Sequence, residues 1–179
     1  MHPIRHLRTI LRHRHAVIRH CRKAGIFWQG LFHDLSKFSP TEFWTSAKYY
    51  QGTRSPNEGE REDKGYSAAW LHHKGRNKHH WEYWVDVDPV TKRYAPVEMP
   101  LRYLVEMFCD RVAAGKIYNG KSYTDDQPLA YFLRGNAQHS MHPVSAATLK
   151  EWLTILAEKG ESAAFTHIRA TLKAAKHPH

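Results

Sequence analysis

The stretch His33-Asp34-Leu35-Ser36-Lys37 brings an imidazole, a carboxylate and an ammonium group close together in the chain. On one helix, His33 and Asp34 would point about 100° apart around the axis, so both could reach one divalent ion. Nitrogen and oxygen ligands of this kind suit Zn, Fe, Mn or Ni. Lys37 follows one turn after His33, so its charge projects over the same patch. The stretch predicts a metal site with a cation beside it, which can hold and attack an anionic group.

The length of 179 residues favours one domain that buries a substantial core without help from disulfides. Cys21 and Cys109 are too few and too far apart for a disulfide framework, and each lies in an apolar helical pattern. We interpret them as reduced core residues of a cytoplasmic protein. Because no apolar run has the length of a transmembrane helix and the N-terminal sequence lacks a signal-peptide core, we expect no membrane association.

The formal net charge of +10 favours anionic partners, namely nucleotides, phosphorylated metabolites or nucleic acid. A basic composition also occurs in proteins that bind no polyanion. The histidine content is the more specific signal. The chain has 15 histidines, and they are concentrated in the first helix and in residues 72–80.

Residues 4–23 predict a strongly basic amphipathic helix. His6, His13 and His20 recur every seventh position along one flank of its apolar stripe. Among them, His13 is the best-placed candidate to face inward, and His15 on the opposite flank is the next. For any one of these histidines taken singly, a solvated surface position is the favoured interpretation. The stripe itself consists of Leu7, Ile10, Leu11, Val17, Ile18 and Cys21.

Helix-start signals divide the following residues into further helices. After Gly25, a second helix is expected from about Ile26 to Lys37. The capping box Ser39-Pro40-Thr41-Glu42 predicts a helix that starts near Pro40 and runs to about Gln51. Later helices are expected after Ser55-Pro56-Asn57-Glu58, at Pro100, after Thr124-Asp125-Asp126-Gln127, and over 144–159 and 161–176 around Gly160.

Residues 83–97 alternate and turn around Asp88-Pro89, which predicts one small β-hairpin. The pattern as a whole predicts an all-α fold of about seven helices, with at most this hairpin. Residues 1–179 are expected to form one domain.

The second histidine cluster contains His72, His73, His79 and His80. Gly75 and Asn77 are expected to end a helix, so the later pair of histidines should lie on a loop. The cluster could be a surface patch, but flanking tryptophans indicate that it is partly enclosed. The interleaved cations are Lys74, Arg76 and Lys78, and the tryptophans are Trp70, Trp81 and Trp84.

Two acids lie one turn apart in the apolar helix that follows Pro100, namely Glu106 and Asp110. Burial of an unpaired charge is costly, so an acid in such a helix needs a partner. Arg111 could supply one at the surface, and a metal ion could supply one inside. The core face of this helix consists of Leu101, Leu104, Val105, Phe108 and Val112.

In chain order, His13, His33-Asp34, the histidines of 72–80 and Asp110 form the pattern H…HD…D. This order resembles the HD-domain superfamily of helical metalloproteins, whose binuclear members carry extra histidines between HD and the final D. The chain is also similar to a bacterial and phage branch with the blocks HDLSKFSPTEF, HHKGRNKHHWEYW and VEMFCDR. The resemblance covers about residues 8–120, and the additional helices of 121–179 carry no superfamily motif.

The resemblance implies a site for one or two divalent transition-metal ions. His33, Asp34 and Asp110 would be ligands, with Asp34 bridging if there are two ions. His13 would be the upstream ligand, with His15 or His20 as alternatives. His73 and His80 would ligate the second ion, with His72 and His79 as alternates.

Lys37 matches the lysine of the HDxxK variant, which in relatives contacts the phosphate or other anion of the substrate. Some mononuclear nucleotidases of the superfamily carry a glutamate there, so the lysine favours the binuclear subgroup. The implied function is hydrolysis of a small phosphorylated or nucleotide substrate by metal-activated water. Asp34 or Asp110 would orient the nucleophile, and Lys37 would neutralise phosphoryl charge with help from Arg76 or Lys78.

Besides a degenerate HD fold without metal, two alternatives remain at this point. A few binuclear HD proteins hold two irons and are oxygenases, and HDxxK occurs among them. A basic nucleic-acid-binding helical module without catalysis would also use the first helix, and its histidines would be incidental.

Overall fold

The computed structural model describes residues 1–135 and 137–176, which form nine α-helices and one two-stranded antiparallel hairpin. The predicted all-α class with one small hairpin is therefore confirmed. The elements are α1 (Pro3–Ala24), α2 (Phe27–Leu31), α3 (Pro40–Tyr49), α4 (Pro56–Lys64), α5 (Ala68–Lys74), β1 (Val85–Val87), β2 (Tyr94–Pro96), α6 (Leu101–Asn119), α7 (Gln127–Arg134), α8 (Ala137–Ser140) and α9 (Pro143–Lys176).

Helices α1 and α6 form the centre of the fold, and α2, α3 and α9 pack around them. On the α9 side of α6, large apolar side chains fill the core. The rings of Phe108 and Trp152 meet edge to face, with centroids 6.3 Å apart. Each such side chain contributes roughly 1.5–3 kcal/mol on burial. This core holds α1 and α6 in a fixed relative position, with the candidate acids of α6 near α1.

The buried face of α1 is rotated from the predicted apolar stripe toward the histidine flank. Leu11 is 40% exposed, whereas His6, His13 and His20 are all buried. The rotation occurs because α6 packs against this flank, and the small residue Ala16 lets it approach. The favoured interpretation of these three histidines as solvated surface residues was therefore wrong.

Two predicted helix boundaries can be compared with the structure. Gly160 breaks α9 with φ of 76°, so the predicted separation into two helical segments is confirmed. The capping box predicted at residues 124–127 does not form, since α7 begins at Gln127 without a side-chain cap from Asp126. Asn119 instead donates to the Gln127 side chain at 2.8 Å.

Among the residues that the structure describes, no helix combines the length and the apolar character needed to cross a membrane.

Candidate metal centre

The His33-Asp34 pair lies in a turn between α2, which ends at Leu31, and a short 3-10 helix, Leu35–Phe38. Asp34 has φ of 55°, a left-handed conformation that is unfavourable for residues other than glycine. Arg14 holds the turn, because its guanidinium donates to the carbonyl oxygen of Leu31 at 3.0 Å and to that of His33. The prediction that His33 and Asp34 share one helix was therefore wrong: hydrogen bonds from α1 stabilise a break there.

Gly30 lets this turn lie close to α1. A Cβ atom at position 30 would stand 2.6 Å from Cβ of Cys21, closer than carbon atoms can approach. The glycine thus brings α2 against α1, and the chain then enters the turn within reach of the α1 and α6 side chains.

The first ligand cluster consists of His13, His33, Asp34 and Asp110, whose candidate ligand atoms lie within 4.8 Å of one another. His13 Nε2 is 2.9 Å from Asp110 Oδ1, and His33 Nε2 is 3.5 Å from the same oxygen. His33 Nε2 also lies 3.2 Å from Asp34 Oδ2. The structure brings together the four residues that the sequence order selects from α1, the turn and α6.

The second ligand cluster consists of Asp34, His73, His79 and His80, again within 4.8 Å. His73 Nε2 and His79 Nε2 lie 3.3 and 3.4 Å from Asp34 Oδ1. Asp34 therefore belongs to both clusters, one oxygen facing each. The sequence favours His73 and His80 with His79 as an alternate, and the structure adds His79 beside them.

Glu106 contacts one histidine of each cluster at Nδ1, on the side of the ring opposite the Nε2 atom that faces the cluster. Its Oε1 lies 2.9 Å from His33 Nδ1 and 3.3 Å from His79 Nδ1. A carboxylate on Nδ1 fixes the ring orientation and directs Nε2 at the opposite side, as is usual for histidines that bind metals. The hydrogen bonds and charges of His33 and His79 outweigh burial and lower the pKa of Glu106 to about 2.

Glu42 orients His72 and His73 in the same way, a role that the sequence analysis did not predict. It lies 2.6 Å from His72 Nδ1 and 2.8 Å from His73 Nδ1. The capping box assigned it to the N–H of Ser39, but that N–H donates to the Ser36 carbonyl oxygen instead. His72 is thereby held by Glu42 and is absent from the second ligand cluster, so it drops out as a candidate ligand.

The carboxylates of the clusters are ionised, whereas the protonation of the histidines differs from ring to ring. Burial would raise the pKa of Asp34, but the charges of His33, Lys37 and His73 hold that pKa well below its usual range. Burial lowers the pKa of His80 well below its usual value, so its imidazole is neutral. Burial would lower the pKa of His33 and of His73, but the charge of Asp34 and hydrogen bonds to carboxylates outweigh it and raise both pKa values. Because metals bind anionic carboxylates and neutral imidazoles, an ion at the clusters would displace the protons of these two rings.

Three histidine nitrogens of the clusters have no hydrogen-bond partner of suitable geometry in the described part of the chain. The Nε2 atoms of His33, His79 and His80 are buried and accept or donate no hydrogen bond within the described residues. Buried polar atoms normally have a partner, and each exception calls for an explanation. Imidazole nitrogens and carboxylate oxygens that converge without partners fit a divalent transition metal.

Lys37 lies beside the clusters without being one of their members. Its Nζ is 2.6 Å from Asp34 Oδ2, and the charges of Asp34 and Asp110 outweigh burial to raise its pKa above the usual value. A protonated ammonium has no lone pair for a metal. The lysine is therefore a charge at the edge of the clusters, as the sequence predicts.

The two other predicted substrate-binding cations face away. Arg76 is exposed and donates to the His72 carbonyl oxygen at 3.3 Å. Lys78 lies over the rings of Tyr83 and Tyr103, 5.6 and 5.9 Å from their centroids. Neither lines the cavity described next, because the loop turns both outward while it turns His79 inward. Their assignment to the substrate stays a prediction, which the cavity lining does not support.

A cavity of about 850 Å³ opens beside the two clusters. Helices α1, α3, α6 and α7 contribute to its wall. A volume of this size suits a small-molecule ligand. The wall includes His13, Asp34, Lys37, His73, His80 and Asp110.

Residues 2–155 match the protein-family model described as "Family of unknown function (DUF5662)". The chain belongs to this family. The match includes every residue of both ligand clusters, together with Lys37, Glu42 and Glu106. Searches of the curated proteins and of the solved structures gave no match to this DUF5662 chain.

The remaining α1 histidines of the DUF5662 chain lie apart from the clusters. His15 is exposed. His6 packs between Phe43 and Tyr50, with ring centroids 5.6 Å from each. His20 is buried two turns beyond His13, and its ring stacks on Phe165. Among the alternatives for the upstream position, only His13 reaches Asp110.

Proposed function

We propose that this DUF5662 protein is a metal-dependent phosphohydrolase of the HD type that acts on a small phosphorylated or nucleotide substrate. The observation that carries the proposal is the pair of ligand clusters that share Asp34 on the wall of one cavity, with Lys37 beside them. Two ions held by a shared carboxylate are a common arrangement in phosphoester hydrolysis.

The donor set assigns the residues that would hold each ion. His13, His33, Asp34 and Asp110 would hold the first. Asp34 would bridge to the second, which His73, His79 and His80 would complete. When bound, such ions lower the pKa of coordinated water toward neutrality and offset charge on a phosphoryl group.

The protein's own groups contribute binding and orientation. Lys37, whose ammonium borders both the clusters and the cavity, binds a phosphoryl oxygen through a charge-assisted hydrogen bond. Glu42 and Glu106 keep the rings of His73, His33 and His79 in position through their Nδ1 atoms. These groups are in place before a substrate arrives, which limits reorganisation during the reaction.

The size and burial of the site support a small substrate. His33 and Asp34 are each 1% exposed, so a folded macromolecule cannot reach them, whereas Asp110 and His80 are partly exposed and line the cavity. A phosphorylated metabolite or a nucleotide fits a cavity of about 850 Å³.

Metal content and phosphatase activity test the proposal together. The protein should be purified without a histidine tag or chelator, analysed for metals, and assayed on a panel of sugar phosphates, nucleotides and aryl phosphates. We expect close to two transition-metal ions per chain, and hydrolysis that chelation abolishes and metal restores. A protein that takes up no Mn, Fe, Zn or Ni would refute the proposal.

The same purified protein distinguishes the hydrolase from the oxygenase alternative, which stays open because histidine and carboxylate ligands also suit iron. Iron as the native metal, together with oxygen consumption and no phosphate release, would favour a di-iron oxygenase over the hydrolase.

Nucleic-acid binding has one specific observation in its favour. The outer side of α1 carries exposed arginines at intervals of three, four and seven residues, and within the described residues none of them forms an ion pair with an acidic side chain. Binding that weakens steeply with salt but persists with a chelator would support this activity. The arginines are Arg5, Arg8, Arg12, Arg19 and Arg22.

A cytoplasmic location belongs to the same proposal. Cys21 and Cys109 are both free and buried, and burial together with the neighbouring Cys21 thiol raises the pKa of Cys109. Neighbouring thiols that remain unbonded fit a reducing compartment.

A further inference from the structure

Arg111 enters the same cavity from a different direction than the ligand clusters. It follows Asp110 on α6, and the helical turn of about 100° directs it toward α7 rather than toward α1. Its guanidinium lies 5.8 Å from the ring centroid of Tyr131 and 5.6 Å from that of Phe132. Arg111 and Tyr131 both line the cavity, as Lys37 does.

The Nε atom of the Arg111 guanidinium has no partner among the described residues. It is buried and makes no hydrogen bond within residues 1–135 and 137–176. An arginine presents five N–H donors, and a buried one without an acceptor is costly. The aromatic rings of α7 offset part of this cost by cation–π contact but accept no strong hydrogen bond.

The acidic residues near Arg111 do not provide the missing hydrogen-bond acceptor. The Oδ1 atom of Asp110 faces His13 and His33, at 2.9 and 3.5 Å. Glu82 lines the same cavity, but its Oε2 is also buried without a hydrogen-bond partner in the described part of the chain. Arg111 and Glu82 therefore do not satisfy one another, and the arginine's donors remain available to a ligand.

We propose that Arg111 binds a second anionic group of the substrate, a carboxylate or a phosphate, in the part of the cavity between α6 and α7. The proposal rests on the phosphohydrolase function, in which Lys37 and the metal ions take the phosphoryl group that reacts. It defines the substrate as a phosphoester with another negative charge at its far end. Planar, bidentate recognition of such a group is what a guanidinium does best.

A series of stable ligands tests the second anion site without turnover. Metal-loaded full-length protein is titrated by calorimetry with ω-phosphonocarboxylates of increasing chain length, and with alkylphosphonates of the same lengths. We expect the carboxylate to tighten binding by about ten- to a hundredfold at one preferred length, the value of a charge-assisted contact.

The gain should disappear in Arg111→Met, which removes the charge and keeps most of the stem. Arg102→Met is the matched control, because Arg102 lies on the same helix, is exposed and contacts Tyr103 outside the cavity. If Arg111→Met does not fold, Arg111→Lys is measured instead. It keeps the charge but not the bidentate fork, so the gain should shrink.

The outcomes separate the two proposals. If alkylphosphonates bind and the carboxylate adds nothing, or adds equally in the Arg111 variants, the second anion site is wrong and the hydrolase stands. If the Arg111-dependent gain is present but no phosphoester is hydrolysed, the anion site stands and the hydrolase fails. If no phosphonate binds at any length, both are overturned.

Discussion

The interface between α1 and α6 contains two buried histidines that are two helical turns apart, and only one belongs to a ligand cluster. His13 is 2.9 Å from Asp110, and both belong to the first ligand cluster. His20 lies in a second polar group, here called the Glu161 cluster, which consists of His20, Lys23, Lys116 and Glu161. His20 Nε2 is 3.8 Å from Glu161 Oε1, and its Nδ1 is 3.4 Å from the Cys109 carbonyl oxygen.

The difference between the two regions lies in how their acids are satisfied. Glu161 is paired with Lys23 at 2.9 Å and with Lys116. Asp34 has one lysine, Lys37, and otherwise faces imidazoles, several of which have no hydrogen-bond partner of their own at Nε2. A buried histidine near an acid is therefore weak evidence for a metal site. Convergence of unpartnered ligand atoms is the stronger evidence.

Removal of the central acid from each region should have the largest effect. In Asp34→Ala, both ligand clusters lose the shared carboxylate, so we expect no bound metal and no activity, while circular dichroism remains helical. Glu161→Ala should keep its full metal content and lose no more than about 1 kcal/mol of stability, since its lysines are partly exposed. Metal analysis of both variants checks the pair. A full metal complement in Asp34→Ala would remove the proposed assignment.

The two α1 histidines give the next comparison. His13→Ala should lose the ion of the first ligand cluster and retain that of the second, so its metal content should fall by about half. His20→Ala should retain both ions and lose about 0.5–3 kcal/mol of unfolding free energy, because its ring packs on Phe165. Metal stoichiometry and chemical denaturation are the measurements. Equal metal loss in both variants would mean that stability, not ligation, explains the effect.

His33 and Asp34 were predictable as a pair because they are adjacent in the sequence. Asp110 was predictable because an acid is unexpected in an apolar helix. The backbone at Asp34 was not predictable. Its left-handed conformation depends on Arg14, which reaches it from another helix. Local sequence favours continuation of the helix, and hydrogen bonds from α1 override that preference.

The contact of Glu42 with the histidines was not predictable from the local sequence either. Ser39 and Glu42 have the spacing of a capping box, and only half of that motif forms, with the Glu42 N–H donating to Ser39 Oγ at 3.4 Å. Nothing in the spacing reveals that the carboxylate turns to His72 and His73. The choice between His79 and His80 was equally open, because adjacent loop residues can both turn inward and here they do.

Lysine variants compare the ligand clusters with the Glu161 cluster by their effect on turnover. Lys37→Met should keep its metal and lose roughly ten- to a hundredfold in turnover, because a charge-assisted contact to phosphate is lost. Lys116→Met removes a lysine that is likewise paired with an acid, Glu161, and it should leave turnover unchanged. Steady-state hydrolysis of the best phosphoester, at matched metal content, is the measurement. Wild-type turnover in Lys37→Met would assign the lysine to the structure of the turn alone.

The smallest expected effect is the pH dependence of the Glu161 cluster. Burial raises the pKa of Glu161, but hydrogen bonds from Lys116 and Lys23 outweigh it and hold this pKa at about 2, below the usual value of 4.5. A depressed carboxyl pKa stabilises the fold above the unfolded-state pKa, and this stabilisation is lost as pH falls through the folded-state pKa.

Glu161→Gln removes this titration with little change of shape. In chelator, so that metal does not contribute, wild type should unfold at a higher temperature than Glu161→Gln above pH 4.5, and the gap should close as the pH approaches 2. Thermal unfolding across that range measures the gap. A constant gap would show that Glu161 is held by packing and not by its lysines. The contrast between the two regions would then lose its electrostatic basis.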